Sequence, residues 1–183
     1  MGKIKQPDPV KLFIGITFNS DVDVEKIYPL LEQEFGRIDK ISPVIDFSSF
    51  TSYYEPEMGK SLQKVWVSFD QLIMPSELPQ IKVKTNDLEV DWSGTDTQRD
   101  VNLDPGYIGQ ANLILATTKN YSHRIYLDKG IYGDVHYIYS QKKFQPQNWT
   151  YPDYKEPSVI EFFHELRELY LLQLKERSKD GHI

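Results

Sequence analysis

The chain contains no cysteine. That absence removes a disulfide framework, a thiolate metal site and a cysteine nucleophile together. No apolar run approaches the ~20 residues needed to cross a bilayer, and Met1 to Val10 lacks the apolar centre of a signal peptide. A cytoplasmic chain with no membrane partner is therefore expected. Positive charge is in deficit, with 21 Lys and Arg against 27 Asp and Glu and a net charge of −6. Affinity for nucleic acid comes largely from cationic contacts to phosphate, so a double-stranded nucleic acid partner is not expected. Nothing in the composition sets an oligomeric state.

What is present suffices for a core. Apolar residues make up 39% of the 183 positions and aromatic residues 13%, which suits a single α+β domain over residues 1–183. Lys11 to Phe18 (K-L-F-I-G-I-T-F) is nearly continuous in apolar residues, as a central strand buried on both faces would be. Asn19-Ser20-Asp21 then offers helix caps, and Val24, Ile27, Tyr28, Leu31 and Phe35 follow a helical spacing that Gly36 stops. Pro29 cannot donate to the carbonyl one turn back, so that helix starts late or kinks. Ile41 to Phe50 and Gln63 to Ile73 read as strands joined by a long loop. Pro75 and Ser76 open a second helix over Glu77 to Val90, and Asp91 to Gln98 is a polar connector.

Arg99 to Tyr154 organises the rest. Asp104-Pro105-Gly106-Tyr107 has the residues of a type II turn and is expected to reverse the chain into Asn112 to Thr118. Lys119 to Ser122 and Asp128-Lys129-Gly130 mark further reversals, giving an antiparallel meander through His123 to Leu127 and Ile131 to Tyr139. A three-residue loop with Gly130 left-handed sets Leu127 opposite Ile131, Tyr126 opposite Tyr132, Ile125 opposite Gly133 and Arg124 opposite Asp134. One face then carries Arg124, Tyr126, Tyr132, Asp134 and His136, with His123 and His136 on opposite faces and unable to share a metal. Taken alone, Arg124/Asp134 reads as a cross-strand ion pair. Ser158 and Glu161 have the spacing of a capping box. Val159, Phe163, Leu166 and Tyr170 form the stripe of a final helix that covers a sheet face. The element order is β-α-β-β-α-β, a ferredoxin-like start, extended by the meander and closed by the helix.

Several catalytic signatures fail. Gly59-Lys60-Ser61 ends like a P-loop, but Tyr54 stands where the first Gly belongs and Pro56 removes an amide donor. Thr118-Lys119-Asn120-Tyr121 has Tyr where a guanine-reading motif needs Asp. His164-Glu165 on a helix lacks the second His of a zinc site. No G-x-S-x-G elbow occurs.

Y-Y-E-P-E-M-G (Tyr53 to Gly59), I-K-V-K-T-N-D-L-E (Ile81 to Glu89), R-D-V-N-L-D-P-G-Y (Arg99 to Tyr107), L-A-T-T-K-N-Y-S-H-R-I-Y-L (Leu115 to Leu127), G-I-Y-G-D (Gly130 to Asp134) and W-T-Y-P-D-Y (Trp149 to Tyr154) stand in one order over nearly the whole chain. In this the sequence resembles a bacterial family known as domain of unknown function 4416. Asp134 stands where the family pattern leads one to expect Glu. Some members are labelled GTP-binding proteins, a label that the failed P-loop and failed base-reading motif do not support. The resemblance implies that polar residues in separate segments recur together, and their chemistry sorts into three groups. Arg99, Lys119, His123 and Arg124 suit a phosphate or carboxylate. Tyr107, Tyr132, Trp149 and Tyr151 suit stacking on a ring. Asp104, Asp134, Asp153 and Glu89 suit Mg²⁺ or acid–base work, with Thr85, Asn86 and Asn102 as further hydrogen-bonding groups. Asp104, His123 and Asp134 are the catalytic candidates.

Two functions follow as expectations. One is a pocket for a small phosphorylated or nucleotide-like ligand, with Mg²⁺-assisted hydrolysis or transfer as its chemistry. The alternative is a non-catalytic protein-interaction module that uses the aromatic segment 145–154. A packed strap is the bland reading of that segment.

Overall fold

The computed structural model describes residues 2–94 and 99–179. The apolar run forms β1 (Val10–Asn19), buried along nearly all its length. The strands β2 (Ile38–Ile41), β3 (Ile45–Asp46), β4 (Leu62–Ile73), β5 (Val101–Ile108), β6 (Asn112–Thr117), β7 (Arg124–Asp128), β8 (Ile131–Ser140) and β9 (Lys143–Pro146) join it in one nine-stranded antiparallel sheet of order β2-β4-β1-β5-β6-β8-β7, with β3 on β4 and β9 on β8. The first four places, β2-β4-β1-β5, are those of a split βαβ start. The meander extends that sheet on the β5 side, as the sequence pattern leads one to expect.

Helices cover both faces. Leu12, Ile14 and Ile16 of β1 pack with Leu31 of α1 (Tyr28–Phe35) and Ile81 of α3 (Leu78–Ser93), while Phe13 and Trp66 pack with Phe163 and Leu166 of α4 (Pro157–Lys179). Each fully buried apolar side chain of this kind contributes about 1.5–3 kcal/mol. No helix of the described residues is long and apolar enough to cross a membrane.

Several local expectations are corrected. α1 starts late, as Pro29 leads one to expect, but no side chain caps it; Asn19 instead donates to the carbonyls of Met58 and Lys60. The strand expected over Ile41 to Phe50 is reduced to β2 and β3, and the loop after it holds one short helix, α2 (Glu55–Met58). α3 runs on to Ser93, while residues 95–98 of the expected connector lie outside the described residues. The first bonds of α4 run from the N–H groups of Val159 and Ile160 to the carbonyl of Glu156, so Ser158 lies inside the first turn and not at the cap.

The largest correction concerns Asp104-Pro105-Gly106. No turn forms there. β5 continues straight through, with Asp104 opposite Gly15, Pro105 opposite Ile14 and Gly106 opposite Phe13. Gly106 is needed for close approach, since a Cβ at that position would stand 2.5 Å from the Ile114 carbonyl oxygen and 2.6 Å from Phe13 Cζ. The ladder to β6 begins only at Gly106, so on that side Pro105 stands outside the paired stretch, where its missing N–H is tolerated. The chain reverses at Gly109, whose N–H donates to the Asn112 carbonyl.

In the last hairpin Arg124 pairs with Asp134, Ile125 with Gly133 and Tyr126 with Tyr132, as expected. Its loop differs: Lys129 and Gly130 both have positive φ, Asp128 pairs with Ile131, and a bulge near Leu127 restores the register.

Candidate functional site

The site begins where the sheet splits. β5 pairs with β6 only through Gly106, Tyr107 and Ile108, so Val101 to Pro105 run on beside β1 without a strand on their other edge. Helix α3 takes the place of that strand. Lys82 and Glu89 lie seven positions apart, two helical turns, and share a face. Glu89 Oε1 accepts the Leu103 N–H at 2.6 Å, and Lys82 Nζ donates to the Leu103 carbonyl at 2.7 Å. A buried backbone pair is thereby satisfied by side chains.

Charges extend from this point in a chain. Arg99 holds Glu57 through two hydrogen bonds, of 2.6 and 3.0 Å, and uses Nη1 on both Glu89 and Asn102. Asn102 passes a hydrogen bond of 2.8 Å to Asp104, which also lies 3.5 Å from Lys82. Burial pushes the Glu89 carboxyl up, against Lys82 and Arg99. Burial also acts to raise Asp104, but Lys82 and Lys64 outweigh it and leave that carboxyl below its ordinary value. The hydrogen bond from Arg99 lowers Glu57.

A second cluster centres on Asp134. Arg124 Nε donates to its Oδ2 at 2.7 Å, His123 Nε2 lies 3.4 Å from the same oxygen, and His136 Nδ1 lies 3.2 Å from Oδ1. The two histidines thus flank one carboxylate, against the expectation that they lie on opposite faces. His123 precedes the first residue of β7 and escapes the alternation that governs the strand. Burial raises the Asp134 carboxyl, yet His136 and Arg124 together hold it low. Further donors of Arg124 reach the Lys119 carbonyl and the Tyr151 hydroxyl, both at 2.9 Å, and the Thr117 hydroxyl at 3.5 Å. Burial pushes the Tyr151 hydroxyl up to about 12.

Between the clusters lies a cleft of two lobes. The first, about 420 Å³, is polar, with Lys82, Glu89, Arg99, Asp104 and Lys119 in its wall. The second, about 410 Å³, is aromatic, with Phe47, Phe50, Tyr121, His123 and Trp149. Tyr53, Tyr54, Asp104, Lys119 and Tyr151 line both. Each volume falls in the range of roughly 300–1,000 Å³ common for small-molecule sites. The rings of the second lobe are held in place: His123 stacks on Trp149 at 5.1 Å, and Trp149 Nε1 donates to the Val135 carbonyl at 2.8 Å.

Most of the candidates read from the sequence meet here. Asn86, Glu89, Arg99, Asn102, Asp104, Lys119, His123, Arg124, Asp134, Trp149, Tyr151 and Asp153 line one lobe or both. Thr85, Tyr107 and Tyr132 do not. Thr85 is buried and donates to the Lys82 carbonyl, Tyr107 packs into the core, and Tyr132 meets Tyr126 on the outer hairpin. Arg99 and Arg124 differ from expectation in a different way, since their donors already serve protein groups. The carboxylates suggested for Mg²⁺ are likewise held apart by separate cations, Asp153 by Lys64 at 2.8 Å and Asp134 by Arg124. Among the described residues no three His, Asp or Glu groups converge as a metal site.

The sequence reading passed over Lys82, Lys64 and Glu57. Lys82 shares the helix face of Glu89, and Lys64, two positions before the inward-facing Trp66 on β4, shares its face, so periodicity carried a signal for both. Glu57 belongs to the Tyr53 to Gly59 segment.

Fold and site together define an antiparallel α+β protein whose cleft opens where two neighbouring strands part. The chain belongs to the family described as Domain of unknown function (DUF4416), which matches it over residues 8–170. No curated protein and no solved structure matches it.

Proposed function

We propose that the cleft binds a small nucleotide-like ligand, with its ring in the aromatic lobe and its phosphate turned towards Lys119. The observation that carries this reading is the shared wall: an aromatic lobe and a charged lobe meet at Tyr53, Tyr54, Asp104, Lys119 and Tyr151. Rings stack on bases without regard to sequence, and a neighbouring cation suits the phosphate. The groups fitted to chemistry on such a ligand are His123 as proton acceptor, its Nε2 3.4 Å from Asp134, and the ionised Asp104.

The interaction-module reading of residues 145–154 has less support. Trp149 and Tyr151 are 39% and 36% exposed, but their polar atoms are bonded to Val135 and Arg124 and their rings line the cleft.

Thermal unfolding in the presence of nucleosides, nucleotides and sugar phosphates, with and without Mg²⁺, tests the proposal. A ligand at 100 times its Kd adds about 2.7 kcal/mol, a rise of roughly 5–10 °C for a chain of this size. The rise should vanish in Tyr121→Ala and persist in Tyr126→Ala; both rings are 57% exposed, but only Tyr121 lines the cleft. No rise with any compound rejects the reading.

A further inference from the structure

The pairing of charges in the cleft limits what the ligand can carry. Five cationic side chains, Lys64, Lys82, Arg99, Lys119 and Arg124, line the two lobes. Four of them are already matched. Lys64 is bonded to Asp153, Lys82 lies against Asp104 and Glu89, Arg99 grips Glu57 and Glu89, and Arg124 grips Asp134. A guanidinium has five N–H donors, and each of the two arginines makes four hydrogen bonds to protein groups: Arg99 to Glu57, Glu89 and Asn102, and Arg124 to Asp134, Thr117, the Lys119 carbonyl and Tyr151.

Lys119 is different. Among the described residues its ammonium has no carboxylate partner; it donates to the Tyr53 hydroxyl at 2.9 Å and lies 4.4 Å from that ring's centroid. An ammonium has three donors, so an anion can take what Tyr53 leaves. Lys119 also lines both lobes, where a group attached to a ring in the aromatic lobe would emerge.

Resting on the reading in the preceding section, we infer that the ligand carries a single phosphate, held by Lys119, and not a polyphosphate chain. One phosphate brings a charge of about −1.5 to −2 at neutral pH, within reach of one lysine and the dipoles around it. A longer chain would extend into the polar lobe, where the carboxylates Glu57, Glu89, Asp104 and Asp134 stand and the cations other than Lys119, namely Lys82 and Arg99, are already paired with carboxylates. Further phosphates would meet repulsion without compensation.

The test measures dissociation constants by calorimetry for each of the four common ribonucleosides and its 5′-mono-, di- and triphosphates, with and without Mg²⁺. The inference expects the monophosphate of the preferred base to bind at least tenfold more tightly than its nucleoside and its triphosphate. Lys119→Ala, at an exposed position, should abolish the gain of the monophosphate over the nucleoside, both measured in that variant. Glu57→Gln should release Arg99 donors and narrow the gap between mono- and triphosphate. A triphosphate that binds as tightly as the monophosphate, in either buffer, overturns the inference and leaves the nucleotide reading standing, as does a monophosphate gain that survives Lys119→Ala. Absence of binding by every compound overturns both.

Discussion

Glu89 of α3 accepts the backbone N–H of Leu103 on β5 at 2.6 Å, so a helix side chain stands where a neighbouring strand would otherwise bond. Together with the bond from Lys82 to the same residue's carbonyl, this lets β5 part from β6 without leaving the backbone groups of Leu103 unpaired. The cleft exists because that exchange is made.

Glu89→Ala should therefore cost more than a lost surface charge. It strands the Leu103 N–H and removes one carboxylate from both Arg99 and Lys82. Removing one member of a buried charged network costs about 3–5 kcal/mol. Glu89→Gln keeps an acceptor for Leu103 and should cost roughly half as much, because an unsatisfied buried donor alone accounts for about 1–3 kcal/mol. Urea unfolding of the two variants provides the measurement. Equal losses would show that Leu103 does not depend on this acceptor.

Gly106 separates a turn from a strand. A turn residue with positive φ would accept Asn with little loss, whereas close approach to Ile114 and Phe13 rejects any side chain. Gly106→Ala and Gly106→Asn should both destabilise, by about 1–3 kcal/mol or more as overpacking does. Chemical denaturation that finds Asn harmless would restore the turn.

His136 predicts a pH dependence in mildly acidic solution. Its ring is fully buried. Burial lowers its pKa below 6.5 with help from Lys64, although Asp134 and Asp153 pull the other way. Below pH 6.5 the unfolded chain binds a proton that the folded ring resists, so stability falls with pH until the folded pKa is reached. The slope approaches about 1.4 kcal/mol per pH unit. Unfolding free energies at pH 7.5 and 5.5 should show the wild type losing about 1 kcal/mol more than His136→Gln. An identical loss in both proteins would mean that His136 titrates normally.

Where side chains alternate with a regular period, the sequence was readable. Arg124 and Asp134 fall opposite each other because the other register would set Ile125 against Asp134 and mix polar and apolar faces, and the pair stands at that register. β1 and α4 were legible for the same reason. Lys82 was missed because one inward lysine in a weakly amphipathic helix resembles a solvated one until its partner is known. That partner, the Leu103 carbonyl, lies on a strand whose course had been misread.

The misreading shows where local chemistry ends. Asp104-Pro105-Gly106 satisfies the dihedral demands of a turn, yet its pairing with β1, where Phe13 crowds Gly106, and the close approach of Ile114 of β6 on the other side go with an extended course. Residue order alone determined the alternation of apolar and polar faces, the central strand, the helical stripes and the inventory of charges, because each depends on neighbours within a turn or a pleat. Only the tertiary structure decided that β5 and β6 part, that α3 satisfies the freed edge, and which cation is left without a carboxylate. Those outcomes depend on groups distant in sequence competing for the same donors and acceptors, and that competition is settled only once the sheet has formed.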